Sequence, residues 1–470
     1  MSSSSKTLTL KKTASSKKSS SSSSPRVRSG TRARRAAQAR PRTAETTPAN
    51  TAPAAVRPKA NIRPKNAPLK TAPKTITQPA TVPNARFSAR QSDSFALFAP
   101  CPIGLEDALA AELQALHFKQ VHTTRAGCSF SGTWLDVLRA NLYSRLATRI
   151  LVQVAYAPIH NEDELYELAY HTPWEEWFGP EQSLRVDTSA VRSPLASLHF
   201  ANLRVKDAVC DRLRDQEGAR PSVDTVRPDA KVHVFLDADS ATLYIDSTGE
   251  SLFKRGWRHH KGSAPLRENL AAGLLALSDW DPNAALMDPF CGSGTILIEA
   301  AWIALGAPPG IWRPFHFERL RHHDAQQWAH LKAEARSSIA AEIDIPLVGY
   351  DLDPTAIEAA KANLQRAHLH PNTIRFEVAD ALQMQPVADH GWIVSNPPYG
   401  ERLAHSDEAF WSQFATKLKQ DFSGWSVNLI SSDLKLPSKL RLRPNRRHPV
   451  YNGPLDCRLF NFQMVPASNR

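Results

Sequence analysis

The chain has 470 residues, 42% of them hydrophobic, which leaves room for two or three packed domains, and no uninterrupted apolar run reaches the roughly 18 to 20 residues of a membrane-spanning helix. Its five cysteines, at 101, 128, 210, 291 and 457, include no Cys-x-x-Cys pair, which counts against a zinc or disulfide framework and suits a reducing, cytoplasmic setting. The net charge of +12 is uneven: residues 1–92 carry 20 Lys and Arg against Glu45 alone, an excess of +19 that leaves −7 for the rest, so nucleic-acid affinity in the folded part must come from local patches.

Residues 1–92 are rich in Ser, Lys, Arg, Ala, Pro and Thr and nearly devoid of large apolar side chains. Such a segment cannot bury enough surface to offset its ordering entropy. It is expected to be a disordered basic tail with non-specific affinity for phosphates. An acid-poor start rich in Ser and Arg also resembles an organelle transit peptide, although its length and proline content do not suit a single amphipathic helix.

Order is expected from Phe95 onward. Residues 95–98 read as a strand, and 101–105 turn into an amphipathic helix with Leu105, Leu109, Leu113 and Leu116 on one face. A helix over 135–146 and a strand over 150–154 follow, then strands near 184–188 and 231–236. Between those two strands a helix over 200–213 presents Arg204, Lys206 and Arg212, with Arg214 just beyond it. A turn at 237–240 and a return strand over 241–247 complete a small α+β module, whose basic residues suit either phosphate contacts or an ordinary solvated face. Next, Lys254, Arg255, Arg258 and Lys261 lie among Phe253, Trp257, His259 and His260, as in a linker that meets phosphates. The two histidines have no third ligand in helical reach and read as surface residues, so no metal is expected.

The second half starts at Pro265, with a helix over 266–277. A strand ends at Asp288 and runs into the loop Pro289-Phe290-Cys291-Gly292-Ser293-Gly294, with a helix over 295–304 after it. Strand, glycine loop and helix together make a nucleotide site, because the glycines let the backbone approach a ligand and the helix start offers its N–H groups. A lone Gly-x-Gly also occurs in loops with no ligand. Residues 347–351 form an apolar strand ending in Asp351, an acid placed to accept hydrogen bonds from ribose hydroxyls, and Asp353 caps the helix that follows. In dinucleotide folds such an acid lies about 20 residues past the loop, so residues near 306–344 read as an insertion. A strand over 374–378 leads to Asp380. Another, over 392–395, leads to Asn396. Four successive strands thus deliver Asp288, Asp351, Asp380 and Asn396 to one sheet edge. Residues 425–431, 449–452 and 456–464 complete the sheet, the last two as an antiparallel pair.

The stretch Ser395-Asn396-Pro397-Pro398-Tyr399-Gly400-Glu401-Arg402 carries the chemistry. Two prolines forbid continuation of strand or helix, which leaves Asn396 and Tyr399 on a rigid loop at a strand's carboxyl end. The Asn396 side-chain oxygen and the Pro397 carbonyl can accept both protons of an exocyclic NH2 group, and Tyr399 offers a flat face to a base. An ordinary proline-rich turn uses the same residue types.

The order Asp-Pro-x-Cys-Gly-Ser-Gly-Thr, Gly-x-Asp, Asn-Pro-Pro-Tyr resembles class I methyltransferases acting on exocyclic amines. Gly104-Leu105-Glu106, Ser144 through Ile150, Val205-Lys206-Asp207-Ala208, Arg255-Gly256-Trp257-Arg258, Ala264 through Ala272, Gly400-Glu401-Arg402-Leu403 and Asn452 through Cys457 narrow the likeness to the THUMP-domain 23S ribosomal RNA guanine-N2 methyltransferases of the RlmL type. The resemblance covers about residues 94–465. It implies an α/β chain: a class I, Rossmann-like methyltransferase domain over 253–470, a ferredoxin-like segment over 93–134 and a THUMP RNA-binding domain over 135–252; the disordered tail 1–92 has no counterpart in it. It implies S-adenosylmethionine as cofactor, held by Pro265, Asp288, Pro289, Gly292, Ser293, Gly294, Thr295, Asp351, Asp380 and Ala381. It implies that Asn396, Pro397 and Tyr399 hold the target base; RNA contacts are expected at Arg204, Lys206, Arg255, Arg258 and Arg402. The expected partner is 23S ribosomal RNA or a large-subunit precursor, with the protein a monomer off the membrane. Some members carry a second methyltransferase domain; the chain stops before one, so guanine-N2 transfer alone is expected. The competing readings are a tRNA guanine-N2 methyltransferase, a DNA adenine-N6 methyltransferase with the same Asn-Pro-Pro-Tyr grip, a protein glutamine methyltransferase, and a non-catalytic RNA-binding factor.

Overall fold

Two sheets built by different rules divide the chain, as a computed structural model describes it over residues 86–87, 94–193, 195–258, 266–398 and 407–465. All of these fall within one unit, 78–470. Expectations for most of the tail and for His259, His260, Pro265, Tyr399 and Arg402 lie outside the described residues.

The first sheet is assembled from β1 (Arg86–Phe87), β2 (Phe95–Pro100), α1 (Glu106–Ala115), β3 (Lys119–Thr124), β4 (Gly127–Gly132), α2 (Trp134–Tyr143) and β5 (Leu151–Pro158), followed by α3 (Glu162–His171), β6 (Leu184–Ala190), α4 (Leu198–Glu217), β7 (Ala230–Leu236) and β8 (Ser240–Asp246). Its strands run β3-β4-β2-β5-β8-β7-β6, with β1 on β5. β5 joins the two halves, pairing β2 through Leu97 and Phe98 and β8 along most of its length. α4 is the crossover between the parallel strands β6 and β7, a connection that antiparallel neighbours do not need.

Three features depart from the sequence reading. Arg86–Phe87 is not free tail: it pairs with Tyr156 and Ala155 of β5, beyond the end of the β2 ladder, where those backbone groups need partners. The β3–β4 hairpin was not foreseen, because β3 is exposed along nearly its whole length and shows no apolar alternation. The second helix stops at Tyr143, short of residue 146. Ser144 leaves the helix in extended conformation, and its hydroxyl donates to the Glu112 carboxylate at 2.6 Å.

The second sheet is made from α5 (Glu268–Leu277), β9 (Leu286–Asp288), α6 (Thr295–Ala304), α7 (Ala325–Ser337), β10 (Leu347–Asp351), α8 (Pro354–Arg366), β11 (Arg375–Val378) and β12 (Trp392–Ser395), then α9 (Asp407–Asp421), β13 (Ser426–Ser431), α10 (Leu436–Leu440), β14 (Arg446–Asn452) and β15 (Leu455–Gln463). The strand order is β11-β10-β9-β12-β13-β15-β14. The first five strands are parallel, and β15 enters antiparallel between β13 and β14. This is a Rossmann-like fold, buried on both faces as parallel sheets require. The order turns back between β9 and β12, which makes the crevice beyond their carboxyl ends the place for a ligand.

The two halves are locked together. Asn269 of α5 donates to Leu146 O at 3.3 Å and Thr148 Oγ1 at 3.4 Å. β14, the last strand of its sheet, receives the Ile103–Gly104 turn of the first half: Tyr451 N donates to Ile103 O at 3.2 Å. The approach is so close that a Cβ on Gly104, which has φ +95, would lie 2.0 Å from Pro449 O. α6 is buried on every side from Thr295 to Trp302, and its sequence is apolar all round except for Glu299.

Candidate active site

The parallel register brings Asp288, Asp351, Asp380 and Asn396 to the same carboxyl edge, in the spatial order set by β11, β10, β9 and β12. Asp288 closes β9 and is fully enclosed. Its carboxylate accepts Ser395 Oγ from β12 and Phe290 N at 3.2 Å, so it ties the start of the glycine loop to the residue before Asn396. Burial pushes the Asp288 carboxyl up to about 7, and Asp351 nearby adds to the rise against the two hydrogen bonds. A carboxyl held above its ordinary value keeps a proton that the unfolded chain releases, so its contribution to stability falls as pH rises from about 4 to about 7. We expect the ligand-free protein to lose stability over that range relative to Asp288→Asn, measured as the difference in urea midpoints. Parallel pH profiles would exclude this titration.

The loop that follows is shaped by its backbone. Cys291 N donates to Tyr350 O, Gly292 N to Asp351 Oδ2 and Gly294 N to Cys291 O, each at 2.9 Å. Gly294, at φ +79, would with a Cβ press on Phe376 at 2.8 Å. Gly292, at φ +52, faces open space, which is what a loop meant to admit a ligand needs. No side chain caps α6, and its first N–H groups remain for a ligand. From α8, the buried Asn363 donates to Ser293 O at 3.0 Å, and Arg366 donates to Asn363 Oδ1 at 2.7 Å. These two pin the loop from behind. Cys291 is buried, which holds its thiol well above the ordinary range and rules it out as a thiolate nucleophile.

Asp351 also accepts Asp353 N at 3.0 Å, so two backbone bonds fix its carboxylate while lone pairs remain for a ligand. Leu352 beside it is 68% exposed, an apolar surface next to an acid. Asp380 caps the short turn Ala381–Gln383 through Leu382 N at 2.9 Å, and Ala381 is buried. On the β12 side, Asn396 Oδ1 is buried and has no hydrogen-bond partner among the described residues. Leaving a buried acceptor unpaired costs about 1–3 kcal/mol, and this one lies at the sheet edge where Ser395 has just been tied to Asp288. Among the described residues no group of three or more His, Cys, Asp or Glu is placed to hold a metal.

Two of the expected RNA contacts are corrected. Arg255 has no exposed side chain: it forms an ion pair with Glu299 at 3.2 Å and donates to Leu252 O and Arg145 O. The Arg258 side chain is 6% exposed and pairs with Glu268 at 3.0 Å. A run of basic residues beside aromatics read as a phosphate surface, but burial of the Trp257 segment turns both guanidiniums inward, where they meet acids of α5 and α6. Arg204 and Lys206 do lie on the surface of α4. Arg204 stands over the Tyr166 ring at 4.6 Å and pairs with Asp163, and Lys206 pairs with Asp207.

Residues 255–461 match the family described as RMKL-like, methyltransferase domain; 160–246 match the THUMP domain, and 96–151 the RlmL ferredoxin-like domain. The chain carries a THUMP domain and an RMKL-like methyltransferase domain. The ferredoxin-like match runs through α2, past the boundary at 134 drawn from sequence. The chain is 41% identical over 381 residues to "Ribosomal RNA large subunit methyltransferase K/L" of Syntrophotalea carbinolica, which covers 78% of this chain and 53% of that protein. It thus spans about half the length of the curated relatives it matches. Among solved structures, it is similar to a putative methyltransferase complexed with SAH, with TM-score 0.74, 27% identity, and coverage of 80% of this chain and 100% of that one. It is similar too to a predicted N6-adenine-specific DNA methylase from Listeria monocytogenes, with TM-score 0.72, 30% identity, and coverage of 80% and 97%.

Proposed function

We propose that this RMKL-like methyltransferase transfers a methyl group from S-adenosylmethionine to the exocyclic N2 amine of a guanosine in large-subunit ribosomal RNA. The observation that carries the reading is Asn396 Oδ1, a buried acceptor without a partner among the described residues, poised beside a glycine loop and an acid.

The residues present fit the cofactor. Gly292 leaves room for it, Asp351 keeps lone pairs that a ribose would use, the exposed Leu352 next to Asp351 would offer an adenine an apolar face, and the uncapped start of α6 offers N–H groups. The cofactor supplies an electrophilic methyl on a sulfonium, so no covalent intermediate on the enzyme is required. The protein's part is alignment. The guanine amine is a poor nucleophile because its lone pair is delocalised into the ring. Asn396 Oδ1 and the Pro397 carbonyl accept its two N–H bonds, polarise them and aim the lone pair outward. Alignment of this kind can supply several kcal/mol. Extracting the base from its stack costs a few kcal/mol, and Tyr399, assigned from sequence alone, returns part of it by stacking at roughly 1–3 kcal/mol.

The THUMP match and the ribosomal RNA relative favour RNA over the DNA adenine reading that the Listeria structure's title would suggest. The test is methyl transfer to large-subunit RNA from a strain lacking the protein, followed by nucleoside analysis. N2-methylguanosine is expected; N6-methyladenosine, or transfer to DNA alone, would overturn the assignment. Asp351→Ala should weaken S-adenosylmethionine binding in calorimetry by about tenfold or more, since the ribose loses a charge-assisted acceptor worth roughly 1.5–3 kcal/mol. Equal affinity would remove Asp351 from the site.

A further inference from the structure

Residues 306–344, which lengthen the path from the glycine loop to Asp351, add no strand to the catalytic sheet. They reach instead onto the first half. Gly310 N donates to Leu142 O of α2 at 3.0 Å, Phe317 N to Ser247 O just after β8 at 2.9 Å, and Arg321 N to Trp177 O at 2.9 Å. Side chains reinforce these bonds. Arg321 pairs with Glu217, the last residue of α4, and donates to the Glu175 carbonyl. Arg319 pairs with Asp229 ahead of β7. The fit leaves no slack: a Cβ on Gly310 would stand 2.7 Å from Asn141 O, and one on Gly249, at φ +81, would stand 2.3 Å from the His316 ring.

The other ends of the segment belong to the active site. It leaves α6, whose first turn follows Gly294, and it enters β10, which finishes at Asp351. Its anchors on the first half fall on α2, α4, the end of β8 and the approach to β7, so they resist rotation as well as translation. Exposed ion pairs of this kind add little stability singly; what they fix is geometry.

We propose that residues 306–344 act as a splint that holds the THUMP-containing half at a set separation from the catalytic edge, so that the methylated nucleotide is selected by its distance from the RNA element docked on that half. Arg319 and Arg321 are its positioning residues. This rests on the RNA reading above. A rigid bridge between docking and chemistry acts as a ruler, and a misplacement of about 1 Å at the reacting atoms can cost roughly 100-fold in rate.

The test uses the full chain with Arg321→Glu, which sets a new acid against Glu217 and against Glu181, the latter 3.8 Å from the Arg321 guanidinium, with Arg319→Glu as a second variant should the first fail to fold. Hydrogen exchange should quicken over 306–324 and 174–182, while S-adenosylmethionine affinity stays within about twofold. On large-subunit RNA, kcat/KM should fall roughly 10- to 100-fold, or methylation should spread to neighbouring guanosines. Adding Glu217→Arg to Arg321→Glu should restore both readouts in part. Unchanged exchange would overturn the splint. Faster exchange with an unaltered rate and a single unaltered position would overturn the ruler. A wild-type protein that methylates no RNA would sink the functional reading and leave the exchange result to judge the splint by itself.

Discussion

Asn396→Ala is expected to lower turnover roughly 10²- to 10³-fold, the range seen when one pre-positioned hydrogen-bonding group is lost from a catalytic site, while S-adenosylmethionine affinity changes little. The amide oxygen faces an amine that gains positive charge as the methyl arrives, so its contact is stronger in the transition state than in the ground state. It follows β12, across β9 from the β10 end that carries Asp351 and Leu352, so cofactor contacts on β10 and the base contact after β12 separate. Asn396→Asp sharpens the point: it keeps an acceptor but adds a charge where the amide oxygen is buried, and partial activity at best is expected. Single-turnover methyl transfer with saturating cofactor measures the effect. Near-normal rates from Asn396→Ala would sink the proposed mechanism.

Glu299→Ala is expected to be the most destabilising change outside the active-site edge, at about 3–5 kcal/mol. Glu299 is the lone acid of α6, with no exposure, and it pairs with Arg255 at 3.2 Å and with Arg145 at 3.8 Å. Burial already holds the Arg145 guanidinium down to about 10 against the support of Glu299. Removing the carboxylate takes the shared ion-pair partner from both buried guanidiniums in the seam between the halves. Combining Glu299→Ala with Arg255→Met removes one of those cations and should recover part of the loss. Urea midpoints of the three proteins decide this, and a single variant as stable as wild type would show that the seam does not depend on the pair.

The catalytic half was legible because its signals are local and repeated. Apolar strands ending in Asp288, Asp351 and Asn396 and the flanking glycines and prolines gave the parallel sheet and its working edge. What sequence could not supply was the partner of a buried charge. The basic run around Arg255 and Arg258 reads as a phosphate surface for as long as Glu299 and Glu268 are unseen, since pairing depends on contacts between residues 10 and 44 positions apart. One clue was present: a single Glu inside the apolar stretch of α6 has to be answered by a cation somewhere. The roles of Ser395, Asn363 and Arg366 are hidden for a similar reason. Each acts by holding another residue, and only Ser395 lies within a recognisable motif. The β3–β4 hairpin was invisible because an exposed strand owes its existence to its neighbour's hydrogen bonds rather than to its own side chains.

The turn at Ile103–Gly104, laid against β14, has a bearing on how the chain is made. An edge strand with unpaired backbone groups is a template for joining another molecule, and β14, at Arg446–Asn452, is made long after the turn that covers it. During synthesis the ferredoxin-like half emerges first, so its glycine turn is already waiting when the β14–β15 hairpin leaves the ribosome. Expressed alone from residue 253, the catalytic half would meet its sister molecules with that edge bare and would be prone to aggregate. Supplying residues 94–252 as a separate chain during refolding would then act as an intramolecular chaperone turned intermolecular, and Gly104→Val in that fragment should abolish the rescue.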